Sequence, residues 1–205
     1  MTFDDRLDMP EALRAVLGEF HERIAAENAG QGGPHSHMAV GPSTGRLLNV
    51  LARSLESPTI LELGTSLGYS TVWLADAARA TNGHVITMEL EADKAASAKE
   101  MINKAELADW VSFQVGDSQA LIQELTGSID FVLVDHWKDL YLPSFELFKD
   151  KLAPGAILVA DNMLRGGTSF EDQQAYAAAV RACPGFTSIL LPVGSGLEVS
   201  RYEPD

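Results

Sequence analysis

Short apolar runs alternate with amphipathic segments along most of the chain. The apolar runs predict buried strands, and segments with an apolar residue at every third or fourth position predict the helices between them. The predicted strands cover residues 59–63, 84–90, 110–116, 130–135, 156–161, 187–192 and 197–202. The predicted helices cover residues 10–28, 43–55, 70–80, 92–107, 118–125, 139–151 and 170–182. Ser43 has the residue type of an N-cap and is the predicted start of the second helix.

The order of these elements favours an open, doubly wound α/β sheet with helices on both faces. A short segment, 193–196, joins the last two strands, and it is too short for the crossover that parallel neighbours need. We therefore predict a Rossmann-like, mostly parallel seven-stranded sheet that ends in an antiparallel hairpin. Residues 1–205 read as a single domain, with residues 1–55 as a helical extension that covers the substrate site.

Composition narrows the possible partners. Of the 205 residues, 46 % are hydrophobic and 21 % charged, enough for a sizeable core. The net charge is −14 and the chain has no Lys/Arg-rich run, which argues against nucleic acid as a partner. Cys183 is the single cysteine, which excludes an intrachain disulfide framework and a cysteine-cluster metal site. Without an apolar leader or a run of membrane-spanning length, we expect a cytoplasmic protein with no membrane partner.

Candidate chemistry follows the predicted strands, where open α/β sheets bind their ligands. The turn after the first strand has the spacing E-x-G-x-x-x-G, from Glu62 through Gly64 to Gly68, and lacks the G-x-G-x-x-G of dinucleotide sites. A carboxylate there would repel a pyrophosphate and suits a ligand with an amino group. Glu89, which ends the second strand, can accept both hydroxyls of a ribose. Together they favour S-adenosylmethionine, although an ordinary strand–turn–helix would also use these glycines.

Hard oxygen donors follow two later strands. Asp135 ends the fourth strand, and Asp161 and Asn162 end the fifth. Two carboxylates and an amide supply half of an octahedral shell, which leaves room for water and a chelating substrate around Mg²⁺. An Asp-Asn pair is also a common turn sequence, so the metal interpretation depends on the coincidence with Asp135.

Motifs along nearly the whole chain resemble the magnesium-dependent catechol O-methyltransferases, which have the class I methyltransferase fold. These motifs are "MAVGPSTGRLL" (38–48), "ILELGTSLGYSTVWLA" (60–75), "VITMELEADKAA" (85–96), "VGDSQALI" (115–122), "VLVDHWKDLYLP" (132–143), "LVADN" (158–162) and "GLEVSRY" (196–202). The motif at 132–143 is closer to the animal catechol enzymes than to their caffeoyl-CoA relatives.

The resemblance implies a role for each matching position. The cofactor would contact Met38, Val40, Glu62, Gly64, Tyr69, Ser70, Glu89, Leu90, Ser118, Gln119, Asp135 and His136. Mg²⁺ would be held by Asp135, Asp161 and Asn162, and the phenolic acceptor by Trp137, Lys138, Asn162 and Glu198. Lys138 would be the general base, and Glu198 would hold the second hydroxyl of the acceptor. His136 is equally well explained as a packed, hydrogen-bonded imidazole.

Three positions depart from the animal enzymes around the acceptor slot. Ser36 stands where they carry a tryptophan, Ala39 where they carry an asparagine, and Gly166 where they carry a proline. These departures concern the acceptor slot and not the chemistry. The resemblance implies methyl transfer to one hydroxyl of a vicinal diphenol, and we expect a monomer or homodimer. The alternatives are a caffeoyl-CoA-type or natural-product phenolic O-methyltransferase and, with less support, a nicotinamide-dependent oxidoreductase.

Overall fold

One seven-stranded sheet organises the chain in the computed structural model, which describes residues 9–31, 39–164, 166 and 169–204. The strands are β1 (Thr59–Leu63), β2 (His84–Glu89), β3 (Val111–Val115), β4 (Ile129–Val134), β5 (Leu152–Ala160), β6 (Phe186–Leu191) and β7 (Leu197–Tyr202). Their order across the sheet is β3-β2-β1-β4-β5-β7-β6. The first five strands are parallel, and β7 pairs antiparallel with both β5 and β6. This confirms the predicted fold class.

In the described part of the chain, seven α-helices cover the two faces of the sheet. They are α1 (Glu11–Asn28), α2 (Pro42–Arg53), α3 (Tyr69–Thr81), α4 (Ala92–Lys104), α5 (Ser118–Glu124), α6 (Tyr141–Phe148) and α7 (Phe170–Ala182). Apolar residues of α1 to α4 form one buried cluster with the sheet, and those of α5 to α7 form the other. The chain changes direction across the sheet between β1 and β4, so their carboxyl ends form the crevice in which such folds bind ligands.

Two helix starts differ from the prediction. Ser43 is not the N-cap of α2, because Gly41 occupies that position and Pro42 begins the helix. The predicted helix over 139–151 is a 3₁₀ turn at Lys138–Leu140, then α6, then a second 3₁₀ turn at Lys149–Lys151. An α-helix that began at residue 139 would need a backbone N–H at Pro143, which proline lacks. Among the described residues, none of the helices is long and apolar enough to cross a membrane.

Candidate active site

A cleft of about 920 Å³ lies at the carboxyl ends of the parallel strands. The ends of β1, β2, β4 and β5 contribute to its lining, together with α1, the start of α5 and the start of α7. Many of the residues that the sequence singled out meet there. They are Val40, Gly64, Tyr69, Ser70, Glu89, Leu90, Ser118, Asp135, His136, Trp137, Lys138, Asp161 and Asn162. Ser36 and Met38, for which the resemblance implies a place near this cleft, lie outside the described residues.

The ends of β1 and β4 come unusually close at Gly64. Gly64 has φ +102°, and a Cβ at this position would clash with the carbonyl oxygen of Asp135. The backbone N–H of Asp135 in turn donates to the carbonyl of Leu63 at 2.9 Å. A residue without a side chain therefore allows the acidic end of β4 to lie beside the turn that follows β1.

Glu62 is fully buried and does not line the cleft, although the sequence predicts a cofactor contact for it. The hydroxyl groups of Thr71 and Thr87 both donate to its Oε2 at 2.6 Å. Burial raises the pKa of Glu62 to about 7, and hydroxyl donors nearby counteract part of that rise. Glu62 therefore lies behind the first turn of α3, from which Ser70 and Tyr69 reach the cleft.

Glu89 ends β2 with its carboxylate fixed at the cleft. Its Oε2 accepts from the backbone N–H of Ser66 at 2.7 Å, and its Oε1 accepts from the backbone N–H of Glu91 at 3.0 Å. Each oxygen retains a second acceptor position. Two pre-aligned carboxylate oxygens can therefore accept hydrogen bonds from two vicinal hydroxyls.

Beyond Glu89 the cleft is bordered by an aliphatic side chain and a neutral ring. Leu90 is 64 % exposed at one side of it. His136 lines the other side, and its Nε2 lies 3.0 Å from the hydroxyl of Ser144. Burial and the charge of Lys138 lower the pKa of His136 to about 4, so its ring is neutral. Both side chains are uncharged, so this part of the cleft suits a neutral group.

The start of α5 corrects one predicted contact. Ser118 lines the cleft, but Gln119 does not. The backbone N–H of Gln119 donates instead to the N-cap carboxylate of Asp117 at 2.8 Å. Asp117 itself lines the cleft beside Ser118.

Asp135 and Asp161 form a pair of neighbouring acidic groups. Burial raises the pKa of Asp135 to about 8, and the nearby carboxylate of Asp161 adds to the rise. Asn162 has φ +62°, a backbone conformation that asparagine tolerates, and its Nδ2 donates to Oδ2 of Asp161 at 3.0 Å. Among the described residues no three His, Cys, Asp or Glu side chains cluster as metal ligands. Asp135, Asp161 and Asn162, the three residues that the sequence predicts as metal ligands, all line the cleft.

Lys138 extends its ammonium group to this acidic pair. Its Nζ lies 3.3 Å from Oδ1 of Asp135, 3.0 Å from the carbonyl oxygen of His136 and 2.6 Å from the hydroxyl of Tyr141. Tyr141 donates onward to the carbonyl oxygen of Asp161 at 3.1 Å. The 3₁₀ turn that begins at Lys138 thus holds the amino group of this residue against the ends of β4 and β5.

α1 and α3 form one side of the cleft, and a contact between Tyr69 and His21 that no sequence motif indicates joins them. The hydroxyl of Tyr69 lies 2.8 Å from Nε2 of His21, and the ring of Phe20 packs edge-on against that of Tyr69 at 5.3 Å. Phe20, Arg23 and Ile24 line the cleft beside Val40. The periodicity of α1 identifies its apolar stripe, but it does not show that Phe20 and Ile24 line the cleft as well as packing in the core.

The structure does not bring Glu198 to the cleft, contrary to the prediction that it holds the acceptor. Glu198 lies on β7, with a buried carboxylate that accepts two hydrogen bonds from Arg181 of α7, at 2.8 and 2.7 Å. Side chains alternate along a strand, and this position faces the helix layer of α6 and α7. Glu198 is better explained as half of an ion pair that fastens α7 to the sheet.

The mouth of the cleft combines one exposed aromatic ring with polar groups beside and on α7. Trp137 is 69 % exposed at the rim. Further polar groups come from Ser169, Asp172 and Gln173, which no sequence motif singles out. A Cβ at Gly166, one of the departures from the animal enzymes, would meet no atom of the described residues within 4 Å.

Comparison with known proteins identifies the family of this chain. A model of the O-methyltransferase family matches residues 16–198. The chain is 35 % identical to the catechol O-methyltransferase of Mus musculus over 177 residues, which are 81 % of this chain and 66 % of the mouse protein. It is 34 % identical to the catechol O-methyltransferase of Niastella koreensis, over 75 % of this chain and 70 % of that protein. The caffeoyl-CoA O-methyltransferase 1 of Eucalyptus globulus is 26 % identical over 82 % of this chain and 76 % of its own.

Solved structures show the same fold. An O-methyltransferase from Bacillus cereus in complex with SAH superposes with a TM-score of 0.80 at 26 % identity, and covers 98 % of this chain and 94 % of its own. TomG of Streptomyces achromogenes, an O-methyltransferase of tomaymycin synthesis in complex with SAM, superposes with a TM-score of 0.77 at 26 % identity. The match covers 97 % of this chain and 92 % of TomG. Family model, relatives and fold agree, and the chain belongs to the O-methyltransferase family.

Proposed function

We propose that this protein is an S-adenosylmethionine- and Mg²⁺-dependent O-methyltransferase that methylates one hydroxyl of a vicinal diphenol. One observation carries the proposal: Lys138 lies 3.3 Å from Asp135 in a cleft that also contains Asp161, Asn162 and the fixed carboxylate of Glu89. A base, an oxygen-rich donor set and an acceptor for ribose hydroxyls therefore share one cavity. The resemblance to catechol O-methyltransferases supports the same acceptor class.

Glu89 and its neighbours fit the nucleoside part of the cofactor. The carboxylate would accept the two ribose hydroxyls, and Leu90, His136 and Ser118 would surround the adenine. The first turn of α3 and the end of β4 would hold the amino-acid part, with Glu62 buried behind them. When bound, S-adenosylmethionine supplies a methyl group on a positively charged sulfur.

The donor set fits a hard divalent cation. Asp135 and Asp161 are neighbouring carboxyl groups whose repulsion, when both are ionised, contributes to the raised pKa of Asp135, and a bound cation would relieve that repulsion. Asn162 would add a neutral oxygen, a ligand type that Mg²⁺ accepts. When bound, Mg²⁺ stabilises the anionic form of a chelating diphenol and fixes the orientation of its two oxygens.

Lys138 is the residue placed to take up the proton. As an ammonium group it has three donors, which Asp135, His136 and Tyr141 engage. As a neutral amine it can accept the proton of the acceptor hydroxyl, and the same three partners then stabilise the ammonium that forms. Trp137 would hold the aromatic ring at the rim, so that the reacting oxygen faces the sulfur in line.

The proposal is tested with purified protein, isotopically labelled S-adenosylmethionine and Mg²⁺. A panel of vicinal diphenols of increasing substituent size is incubated with the protein, and labelled methyl ether is separated and counted. We expect label transfer to at least one diphenol, with little transfer to the matched monophenols. Transfer only to a caffeoyl-CoA ester would favour the alternative acceptor class, and no transfer to any phenol would contradict the proposal.

A further inference from the structure

Gln173 is a buried polar residue of the cleft whose side-chain oxygen lacks a hydrogen-bond donor. Its side chain is 1 % exposed, yet it lines the cleft at the start of α7. Among the described residues none donates a hydrogen bond to its Oε1, which is itself shielded from solvent. A buried amide oxygen without a donor costs about 1–3 kcal/mol, so proteins rarely keep one that has no use.

The packing of α7 places Gln173 on the side of the acceptor. Gln173 shares the buried face of α7 with Tyr176, one turn further along the helix. The ring of Tyr176 packs edge-on against that of Tyr141 at 5.6 Å, and the hydroxyl of Tyr141 lies 2.6 Å from Nζ of Lys138. α7 also contacts the 3₁₀ turn that begins at Lys138, so Gln173 lines the cleft from the element that packs beside this lysine.

The second contact that a diphenol needs does not come from Glu198. The carboxylate of Glu198 is occupied by Arg181 and does not line the cleft. Gly166 also lines the cleft, and it has no side chain to make that contact. Of the described α7 residues that line the cleft, Gln173 is the one with a buried acceptor oxygen that has no donor, so it is placed to meet the unmethylated hydroxyl of a diphenol.

We propose that Gln173 is a specificity-determining residue, whose Oε1 accepts a hydrogen bond from the hydroxyl of the acceptor that is not methylated. The inference rests on the proposed function and adds a residue to it. A methyl acceptor that has a second hydroxyl next to the reacting one gains this hydrogen bond. A methyl acceptor without the second hydroxyl leaves the amide oxygen of Gln173 buried and unpaired. Gln173 therefore favours diphenols over monophenols beyond the preference that chelation alone would give.

The purely structural alternative is that the amide of Gln173 turns to pair with the hydroxyl of Tyr176, which also lacks a partner among the described residues. The two roles differ in what a substitution changes. A structural pair would affect the stability of α7 and leave acceptor selection untouched. A contact to the acceptor would change KM for the diphenol and the ratio of diphenol to monophenol rates.

The test compares Gln173→Leu, Gln173→Glu and Gln174→Leu with the wild type. Gln174 is the exposed neighbour on α7 and is the matched control. Initial rates are measured with a diphenol and its monophenol at saturating cofactor and Mg²⁺, and thermal unfolding is followed in parallel. We expect Gln173→Leu to raise KM for the diphenol about tenfold and to reduce its preference over the monophenol similarly. Gln173→Glu, which keeps an acceptor oxygen, should restore most of that loss.

The outcomes separate the inference from the function on which it rests. An unchanged KM and an unchanged preference in folded Gln173→Leu, with the wild type active, would overturn the inference alone. The inference would also fall if only the unfolding temperature decreased, or if Gln174→Leu behaved like Gln173→Leu. A wild type that methylates no diphenol would overturn the proposed function and the inference with it.

Discussion

The ammonium group of Lys138 lies 3.3 Å from a carboxylate oxygen of Asp135, and its other two contacts are the carbonyl of His136 and the hydroxyl of Tyr141. The contact with Asp135 links the candidate base to a candidate metal ligand. The other two contacts do not use the side chain of a metal ligand, so they can keep Lys138 in position when a cation engages Asp135. Base and cation can therefore act on the same acceptor oxygen.

Lys138→Met should lower kcat by about 10²–10⁴, the usual contribution of a general base. Binding of S-adenosylmethionine and of Mg²⁺ should persist, because methionine leaves both Asp135 and Asp161 in place. Single-turnover methyl transfer measures the effect, with Lys149→Met outside the cleft as the control. Wild-type rates in Lys138→Met across pH 6 to 9 would show that another group takes the proton.

Glu62→Gln should stabilise the ligand-free protein at neutral pH and above, relative to the wild type. The pKa of Glu62 is raised from 4.5 to about 7 by burial, so the folded state binds more protons than the unfolded state between these values. Wild-type stability therefore falls as pH rises through this window, by a total of about 3 kcal/mol. Glutamine does not ionise, so the stability of Glu62→Gln does not fall with pH at this position.

Urea unfolding at pH 5, 6, 7 and 8 measures that difference. The stability of Glu62→Gln relative to the wild type should grow with pH and level off above pH 7. The charge of Glu62 also contributes to the raised pKa of Asp135, so the measured difference includes the smaller change at Asp135. A difference that stays constant from pH 5 to 8 would mean that Glu62 does not titrate with a raised pKa.

Glu89→Gln should weaken binding of S-adenosylmethionine by about 10- to 100-fold, because charge-assisted hydrogen bonds to the ribose become neutral or are lost. Calorimetric titration with the cofactor measures the change. Glu100→Gln, at an exposed position of α4, is the control. Equal affinities in wild type and Glu89→Gln would place the ribose elsewhere.

The pair of Glu198 and Arg181 should behave asymmetrically, because the carboxylate is buried and the arginine side chain is 49 % exposed. Arg181→Met leaves a buried carboxylate without its partner and should cost about 3–5 kcal/mol of unfolding free energy. Glu198→Gln should cost less, since the exposed arginine can return to water. Chemical denaturation measures both values, and KM for the acceptor should stay within about twofold in Glu198→Gln. A large rise in the KM for the acceptor in Glu198→Gln would show that Glu198 contacts the acceptor after all.

The strand ends explain why so much of the site could be predicted from the sequence. In a parallel sheet the carboxyl ends of all strands lie at the same edge. Glu89, Asp135 and Asp161 stand at these ends, so they come together independently of the conformation of the connecting loops. Apolar runs identify the strands, and the polar residue that ends each run identifies its position in the cleft. The fold and the candidate cofactor and metal positions follow from this rule.

Other positions needed information that the chain pattern does not contain. A motif match gives the sequence position of Glu198, but the alternation of side chains along antiparallel β7 and the location of Arg181 decide which way it faces. Gln173 is an ordinary polar residue in a helical pattern, and only the packing of α7 beside Tyr141 makes it part of the cleft. Side-chain direction and long-range packing cannot be read from the order of residues alone.

The most direct test of a catalytic cation is the rate of methyl transfer to a vicinal diphenol as a function of free Mg²⁺, after exhaustive removal of metal with a chelator. We predict almost no transfer in the chelated protein and a saturable recovery as Mg²⁺ is returned. Asp161→Asn should shift that recovery to much higher Mg²⁺ concentration, because one anionic ligand is lost. A full rate in the metal-free wild type would contradict the central claim that Asp135, Asp161 and Asn162 hold a catalytic cation.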